Sequence, residues 1–138
     1  LVESGLGSGG QCGSSYTDWT TIAQSPGLDV LSYHDYYPAG TLLGGDQWNG
    51  EALRISQAQS VDKPIIAGEL GVAGYGSTTT SACPSLADRS ADVVAKLTAQ
   101  YAAGSAAELV WNADQGPVSA CAYDVVPGDP LLSALARF

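Results

Sequence analysis

A single glutamate, Glu69, lies near the end of the short apolar stretch KPIIAGELG (residues 63–71), with glycines at 68 and 71. A carboxylate in such a place is suited to nucleophilic attack on an electrophilic carbon, or to stabilising positive charge there. His34 and Tyr36 follow a second apolar stretch, and residues two apart on an extended chain point to the same side. We therefore predict that the three residues act together, with His34 and Tyr36 orienting Glu69 and a substrate hydroxyl.

Other residues beside the apolar stretches are suited to the same ligand. Aromatic rings stack on sugar rings, and amide groups exchange hydrogen bonds with sugar hydroxyls. The predicted substrate-binding residues are Tyr37, Trp111, Asn112 and Gln11, and the predicted ligand is a carbohydrate. Trp111 as a core residue is the competing interpretation.

Short stretches rich in apolar and β-branched residues predict the four strands that would position these side chains. A strand, a loop and a helical stretch recur four times, which predicts an α/β fold with parallel strands and one domain over residues 1–138. The rhythm fits a small open sheet covered on both faces, or half of an eight-stranded barrel. The predicted strands are 1–6, 28–33, 64–70 and 108–111, and short helices are predicted at 16–25 and 129–138.

The clearest helical pattern covers residues 85–103. Val93, Leu97 and Tyr101 recur there at helical spacing, which predicts one buried face, and Gly104 supplies the end of the helix.

A further helix is predicted to be capped by Asp46. Its buried face would carry Trp48 and Ile55, whereas Glu51 is expected to be solvated. Trp48 and Trp19 are both predicted to pack in the helical layer.

The stretches LSYHDYYP, KPIIAGELG and AELVWNAD resemble strands six, seven and eight of glycoside hydrolase family 5, β-1,4-glycanases built on (β/α)8 barrels. The resemblance implies that Glu69 is the nucleophile, that His34 and Tyr36 are the family's strand-six His-x-Tyr pair, and that Trp111 is a sugar platform. It further implies a β-linked polysaccharide such as cellulose or mannan as substrate, and no cofactor. Together with GLGSGGQCG, which resembles the region after strand five, the matches correspond to the second half of a barrel.

The resemblance leaves one catalytic group without a counterpart. Retaining glycosidases pair their nucleophile with a second carboxyl group, which the family carries in an Asn-Glu pair that ends strand four. The sequence holds no Asn-Glu pair, and its other glutamates are Glu3, Glu51 and Glu108. Glu3 and Glu108 are expected to lie deep on their strands, several residues from the site.

Four parallel strands would leave two open edges, which invite pairing. We therefore predict a homodimer in which two (βα)4 half barrels close one eight-stranded barrel. The alternatives to an active glycosidase are a catalytically silent carbohydrate-binding half barrel, and a fragment whose amino-terminal half carries the acid/base. For Glu69 itself, the alternative is a structural role, as a loop cap or as the partner of Arg89.

Composition excludes several other classes of function. The net charge of −9, with no basic run, disfavours a nucleic-acid partner, and no apolar stretch approaches the length of a membrane span. Asp35, Asp46 and Asp114 have no histidine at ligand spacing, so no metal is predicted.

Three cysteines, few lysines and many glycines favour an extracellular protein. Cys83 and Cys121 both follow predicted strands in polar stretches, and we predict that they form a disulfide. Cys12 is left over, and three reduced buried cysteines are the alternative.

Overall fold

A computed structural model describes residues 1–10, 14–75, 83–116 and 121–138. These residues contain a parallel sheet in the order β1-β2-β3, which confirms the predicted α/β fold with parallel strands. The strands are β1 (Leu31–Asp35), β2 (Ile65–Leu70) and β3 (Ala107–Val110), and the helices are α1 (Tyr16–Ala23), α2 (Glu51–Ser60), α3 (Leu86–Ala103) and α4 (Pro130–Leu135).

The prediction of a regular strand at residues 1–6 is wrong. Glu3 makes one isolated parallel bridge to the chain before β1, and side chains then replace the backbone ladder. The N–H of Ser32 donates to Ser4 Oγ at 3.0 Å, and the N–H of Leu6 donates to Ser32 Oγ at 2.9 Å. Serine hydroxyls therefore satisfy backbone groups that a fourth strand would have paired with each other.

The core lies between the sheet and the helices. Trp19 of α1 is fully buried, as predicted, together with Leu31 of β1 and Ile55 of α2. Helix α3 matches its prediction, because the Ser85 side chain accepts the N–H of Asp88 at its start and Gly104 adopts a left-handed conformation (φ 114°) at its end.

The second helix begins later than predicted. Its N-cap is Gly50, and Asp46 instead accepts the N–H groups of Trp48 and Asn49 in the preceding loop. The predicted burial of Trp48 is consequently wrong: the side chain is half-exposed, and its ring packs edge-on against Tyr16 at 4.8 Å between centroids.

The buried face of α3 is partly polar. Lys96 Nζ donates to the two Asp35 carboxylate oxygens at 2.7 and 2.9 Å, and Gln100 Nε2 donates to Asp35 at 2.6 Å. All three side chains are fully buried, whereas Tyr101, predicted on this face, is exposed and packs against Phe138. This ion pair anchors the end of β1 to α3.

Glu51 was expected to be solvated, and this prediction is wrong. Its side chain is completely buried at the start of α2, where Oε2 accepts the N–H of Gly44. Burial, followed by the nearby Asp35 carboxylate, raises the pKa of Glu51 to about 8, although Lys96 opposes the shift. Glu51 is therefore mainly protonated at neutral pH.

The two predicted cysteine partners do form a disulfide, Cys83–Cys121, with 5.8 Å between their Cα atoms. It joins the loop before α3 to the loop after β3. Cys12 lies outside the described residues. None of the helices formed by the described residues has both the length and the hydropathy of a membrane-spanning segment.

The buried Glu51 predicts a pH-dependent stability. Between the ordinary pKa of about 4.5 and about 8, the native state holds a proton that the unfolded chain has released, so the free energy of unfolding falls as the pH rises. A full proton corresponds to about 1.4 kcal/mol per pH unit. Glu51→Gln keeps the neutral shape, accepts the N–H of Gly44 and should flatten this slope in urea unfolding. An unchanged slope would contradict the assignment.

Candidate active site

A cleft of about 600 Å³ lies at the carboxyl ends of β1 and β2. One side is formed by residues at the two strand ends. The other is formed by residues 7–10 of the glycine-rich segment and by the loop before α2. The non-glycine residues that line the cleft are Ser8, His34, Tyr36, Tyr37, Pro38, Asp46, Asn49 and Glu69.

Glu69 lies in this cleft beside both of its predicted partners. The Tyr36 hydroxyl donates to Glu69 Oε2 at 2.6 Å, and His34 Nδ1 lies 3.6 Å from the same oxygen. The Glu69 side chain is 28% exposed, so the carboxylate is held by the protein yet open to a ligand. The structure thus brings together the three residues that the sequence placed in one site.

A register shift explains how Glu69 reaches the cleft. Ala67 and Leu70 are both fully buried in the core, although residues three apart on a regular strand point to opposite faces. The pairing with β1 skips Gly68, so that Tyr33 lies opposite Ala67 while His34 lies opposite Glu69. The extra residue turns Glu69 to the side of His34.

The second flanking glycine makes room for Tyr36. A Cβ added at Gly71 would lie 2.5 Å from the Tyr36 ring and 2.9 Å from the Tyr123 ring. The two tyrosines contact each other edge-on, with 5.1 Å between their centroids. Gly71 therefore allows the close packing that directs the Tyr36 hydroxyl at Glu69.

The surroundings of Tyr36 keep its hydroxyl protonated. Desolvation, then the hydrogen bond to Glu69 and the charge of that carboxylate, raise the pKa of Tyr36 well above its ordinary value. Tyr36 is consequently a hydrogen-bond donor to Glu69 across the physiological pH range.

Tyr123 is a residue that the sequence reasoning missed. It follows Cys121 by two positions, and the neighbouring Ala122 makes an antiparallel bridge to Gly74, after β2. The disulfide and this bridge hold the loop so that Tyr123 packs on Tyr36. Its position after a paired cysteine was the only available signal.

The remaining predicted residues fall in different places. Tyr37 lines the cleft, with its ring lying on Gly44, where an added Cβ would come within 2.2 Å. Trp111 and Asn112 follow β3; Trp111 is half-exposed and is not among the residues that line the cleft. Gln11 lies outside the described residues.

Arg89, the alternative partner of Glu69, lies elsewhere. It is fully buried on α3 and forms an ion pair with Asp129, the N-cap of α4. Among the described residues, no ion pair joins a lysine or arginine to Glu69.

Two further glutamates lie outside the cleft. Glu3 was expected to be deep, but it is exposed and accepts the N–H of Gly5. Glu108 is partly buried, accepts a hydrogen bond from Tyr33, and has its pKa raised to about 7, chiefly by desolvation. The described residues do not bring three or more His, Cys, Asp or Glu side chains together at a metal site.

A part of each of two solved structures has a fold similar to that of this chain. An endo-β-1,4-mannanase from Thermotoga petrophila matches 87% of the chain with a TM-score of 0.58 and 16% identity. The hyperthermostable endo-1,4-β-D-mannanase from Thermotoga petrophila RKU-1 matches 87% with a TM-score of 0.56 and 17% identity. The aligned region is 27% and 35% of those chains, so this chain spans about a third of their length. No protein-family model and no curated protein sequence matches it.

The packing of Tyr36 on Gly71 can be tested without a substrate. Gly71→Ala should push the ring away, weaken its hydrogen bond to Glu69 and lower the pKa of Tyr36 toward its ordinary value. An NMR titration of the tyrosine rings measures this, with Tyr36→Phe identifying the signal. Gly27→Ala is the matched control, because its Cβ would meet only Ser25 Oγ at 3.7 Å. An identical Tyr36 titration in Gly71→Ala would contradict the packing argument.

Proposed function

We propose that this chain carries the nucleophile half of a glycoside hydrolase that cleaves a β-1,4-linked polysaccharide of the mannan or cellulose type. The observation that carries the proposal is Glu69 in the cleft, bonded by Tyr36 and adjacent to His34. These residues lie in the stretches that resemble glycoside hydrolase family 5. Two structural neighbours are endo-β-1,4-mannanases, which favours mannan over cellulose.

In the proposed reaction, Glu69 attacks the anomeric carbon. Because Tyr36 occupies Oε2, Oε1 is the oxygen left to form the bond to carbon, while the glycosidic carbon–oxygen bond breaks. The departing oxygen takes a proton from an acid, and a water then releases the sugar from Glu69. Tyr36 and His34 orient the carboxylate before the attack, and they stabilise its charge again when water releases the sugar.

The acid is proposed to come from a second half barrel. A retaining mechanism requires a second carboxyl group about 5 to 5.5 Å from the nucleophile, and the Asn-Glu pair that supplies it in the resembling family is absent from this sequence. In a homodimer the partner copy would add a further wall to the cleft, beyond the two that this chain forms itself. An amino-terminal half on another chain would provide the family's own acid/base.

The exposed face of β3 supports assembly with a second half barrel. Val110 packs against the core and Glu108 bonds Tyr33 on the helical side, so Leu109 between them points to the other face, where it is 56% exposed. An exposed leucine on the inner face of a curved sheet fits closure of a barrel by a second copy.

Closure by a second copy predicts a dimer in gel filtration and solution scattering at low concentration. Leu109→Asp should shift the protein toward monomer, because it places a charge in the interface. Leu132→Asp is the control, since Leu132 is 47% exposed on α4, on the helical side. A stable, compact wild-type monomer would contradict the homodimer.

The disulfide Cys83–Cys121 supports a further proposal, that the protein is extracellular. Disulfides persist in oxidising environments and are rare in reducing ones.

The nucleophile assignment predicts that Glu69→Gln abolishes hydrolysis of mannan, carboxymethyl-cellulose or a nitrophenyl cellobioside. The loss should amount to several orders of magnitude in kcat, because the amide cannot form the glycosyl intermediate. Glu3→Gln, the same change at an exposed glutamate outside the cleft, is the control and should retain activity, because its amide oxygen can still accept the N–H of Gly5. Binding to insoluble polysaccharide without turnover would favour the silent binding module. Turnover that appears only with an added amino-terminal half would favour the fragment.

A further inference from the structure

The side of the cleft away from β2 carries a fixed carboxylate. Asp46 Oδ1 accepts the N–H groups of Trp48 at 2.7 Å and Asn49 at 2.9 Å, and the Asp46 N–H donates to the Asn49 carbonyl at 2.7 Å. These bonds hold the carboxyl group in one orientation. Its second oxygen, Oδ2, makes no hydrogen bond within the described part of the chain, and Asp46 lines the cleft.

Asn49 lies beside Asp46 in the same wall. Its Oδ1 accepts a hydrogen bond from Arg54 at 3.0 Å, which leaves the amide NH2 group without a partner among the described residues. The side chain lies directly on Gly9 of the glycine-rich segment, where an added Cβ would come within 2.2 Å of Asn49 Oδ1. Only glycine at position 9 allows this contact.

Arg54 connects the segment that contains Ser8 and Ser14 to the loop before α2. Its guanidinium, completely buried, donates to the Ser8 carbonyl at 3.0 Å, to the Ser14 carbonyl at 2.7 Å and to Asn49. It also lies 5.3 Å from the ring centroid of Trp19. No ion pair joins it to a carboxylate within the described residues, and burial lowers the pKa of Arg54. A buried charge without a counter-ion is costly, and here its hydrogen bonds go to Ser8 and Asn49 of the cleft, to the carbonyls of Ser14 and Trp48, and to Gln57 on its own helix.

We propose that Asp46 and Asn49 form a second substrate-binding wall, and that Arg54 is the positioning residue that holds this wall opposite Glu69. The free Asp46 oxygen accepts a sugar hydroxyl, and the Asn49 amide donates to the neighbouring one. Adjacent hydroxyls on one sugar ring match such an acceptor–donor pair. The inference rests on the proposed function, because it assumes that a saccharide enters this cleft.

The decisive variant is Asp46→Asn. Its remaining carbonyl oxygen can still accept the two N–H groups of the turn, but the free acceptor becomes a donor. The expected result is a roughly 10-fold or greater weakening of saccharide binding, the range for a hydrogen bond to a charged group. Calorimetry on the inactive Glu69→Gln protein, with mannohexaose and cellohexaose, measures the dissociation constant without turnover. In the active protein KM should rise by a similar factor while kcat changes little.

Arg54→Lys tests the positioning role, because it keeps the charge but loses the planar fork of donors. Its affinity for saccharide should fall as in Asp46→Asn. Lys63→Met is the matched control: Lys63 Nζ donates to the carbonyls of Ala23 and Ser25, at the end of β2 away from the cleft. This control should lose stability and keep its affinity.

If Arg54→Lys does not fold, Gly9→Ala replaces it, since its Cβ displaces Asn49 from the wall. An unchanged dissociation constant in Asp46→Asn overturns this inference and leaves the role of Glu69 intact. Equal affinity losses in Arg54→Lys and Lys63→Met overturn the positioning role. A wild-type protein that neither binds nor cleaves either saccharide overturns this inference together with the proposed function.

Discussion

The register shift at Gly68 is the constraint on which the site depends. A regular β2 strand would place Glu69 on the core side, between Ala67 and Leu70, where an unpaired carboxylate is costly. One extra residue keeps both apolar neighbours buried and sends the carboxylate into the cleft. A Cβ at Gly68 would lie 3.4 Å from His34 Nε2 and 3.6 Å from Ser32 Cβ, so glycine at this position leaves room for the His34 ring.

At the end of β1, His34 and Tyr36 must point to the cleft. A buried ion pair at Asp35, between them, fixes this orientation. Asp35 points to the helices, where Lys96 and Gln100 bind it, so His34 and Tyr36 on either side of it point to the cleft. A slip by one residue would bury His34 and expose Asp35. Removing one partner of a buried ion pair leaves an unpaired buried charge, and this costs much more free energy than the intact pair contributes to stability. The ion pair therefore disfavours such a slip.

The sequence predicted those parts of the molecule that local patterns encode. Apolar stretches and glycine signals located β2 and α3, and the types of Glu69, His34 and Tyr36 placed them in one site. It failed where polar side chains take unusual roles. Serines replace a strand ladder at residues 1–6, and Glu51 is buried although a charged helical residue normally indicates solvent. Such contacts depend on tertiary packing and leave no periodic signal.

Several side chains of the cleft are positioned by close packing on a glycine. Three side chains that line the cleft lie directly on a glycine Cα: Tyr36 on Gly71, Tyr37 on Gly44 and Asn49 on Gly9. In each pair the closeness of the side chain to the backbone, instead of a further side chain, fixes its position. These three glycines let side chains of the cleft pack directly on the backbone. A glycine-rich loop in such a chain indicates that side chains pack closely on its backbone. Which side chains these are depends on the tertiary structure, so the sequence alone does not identify them.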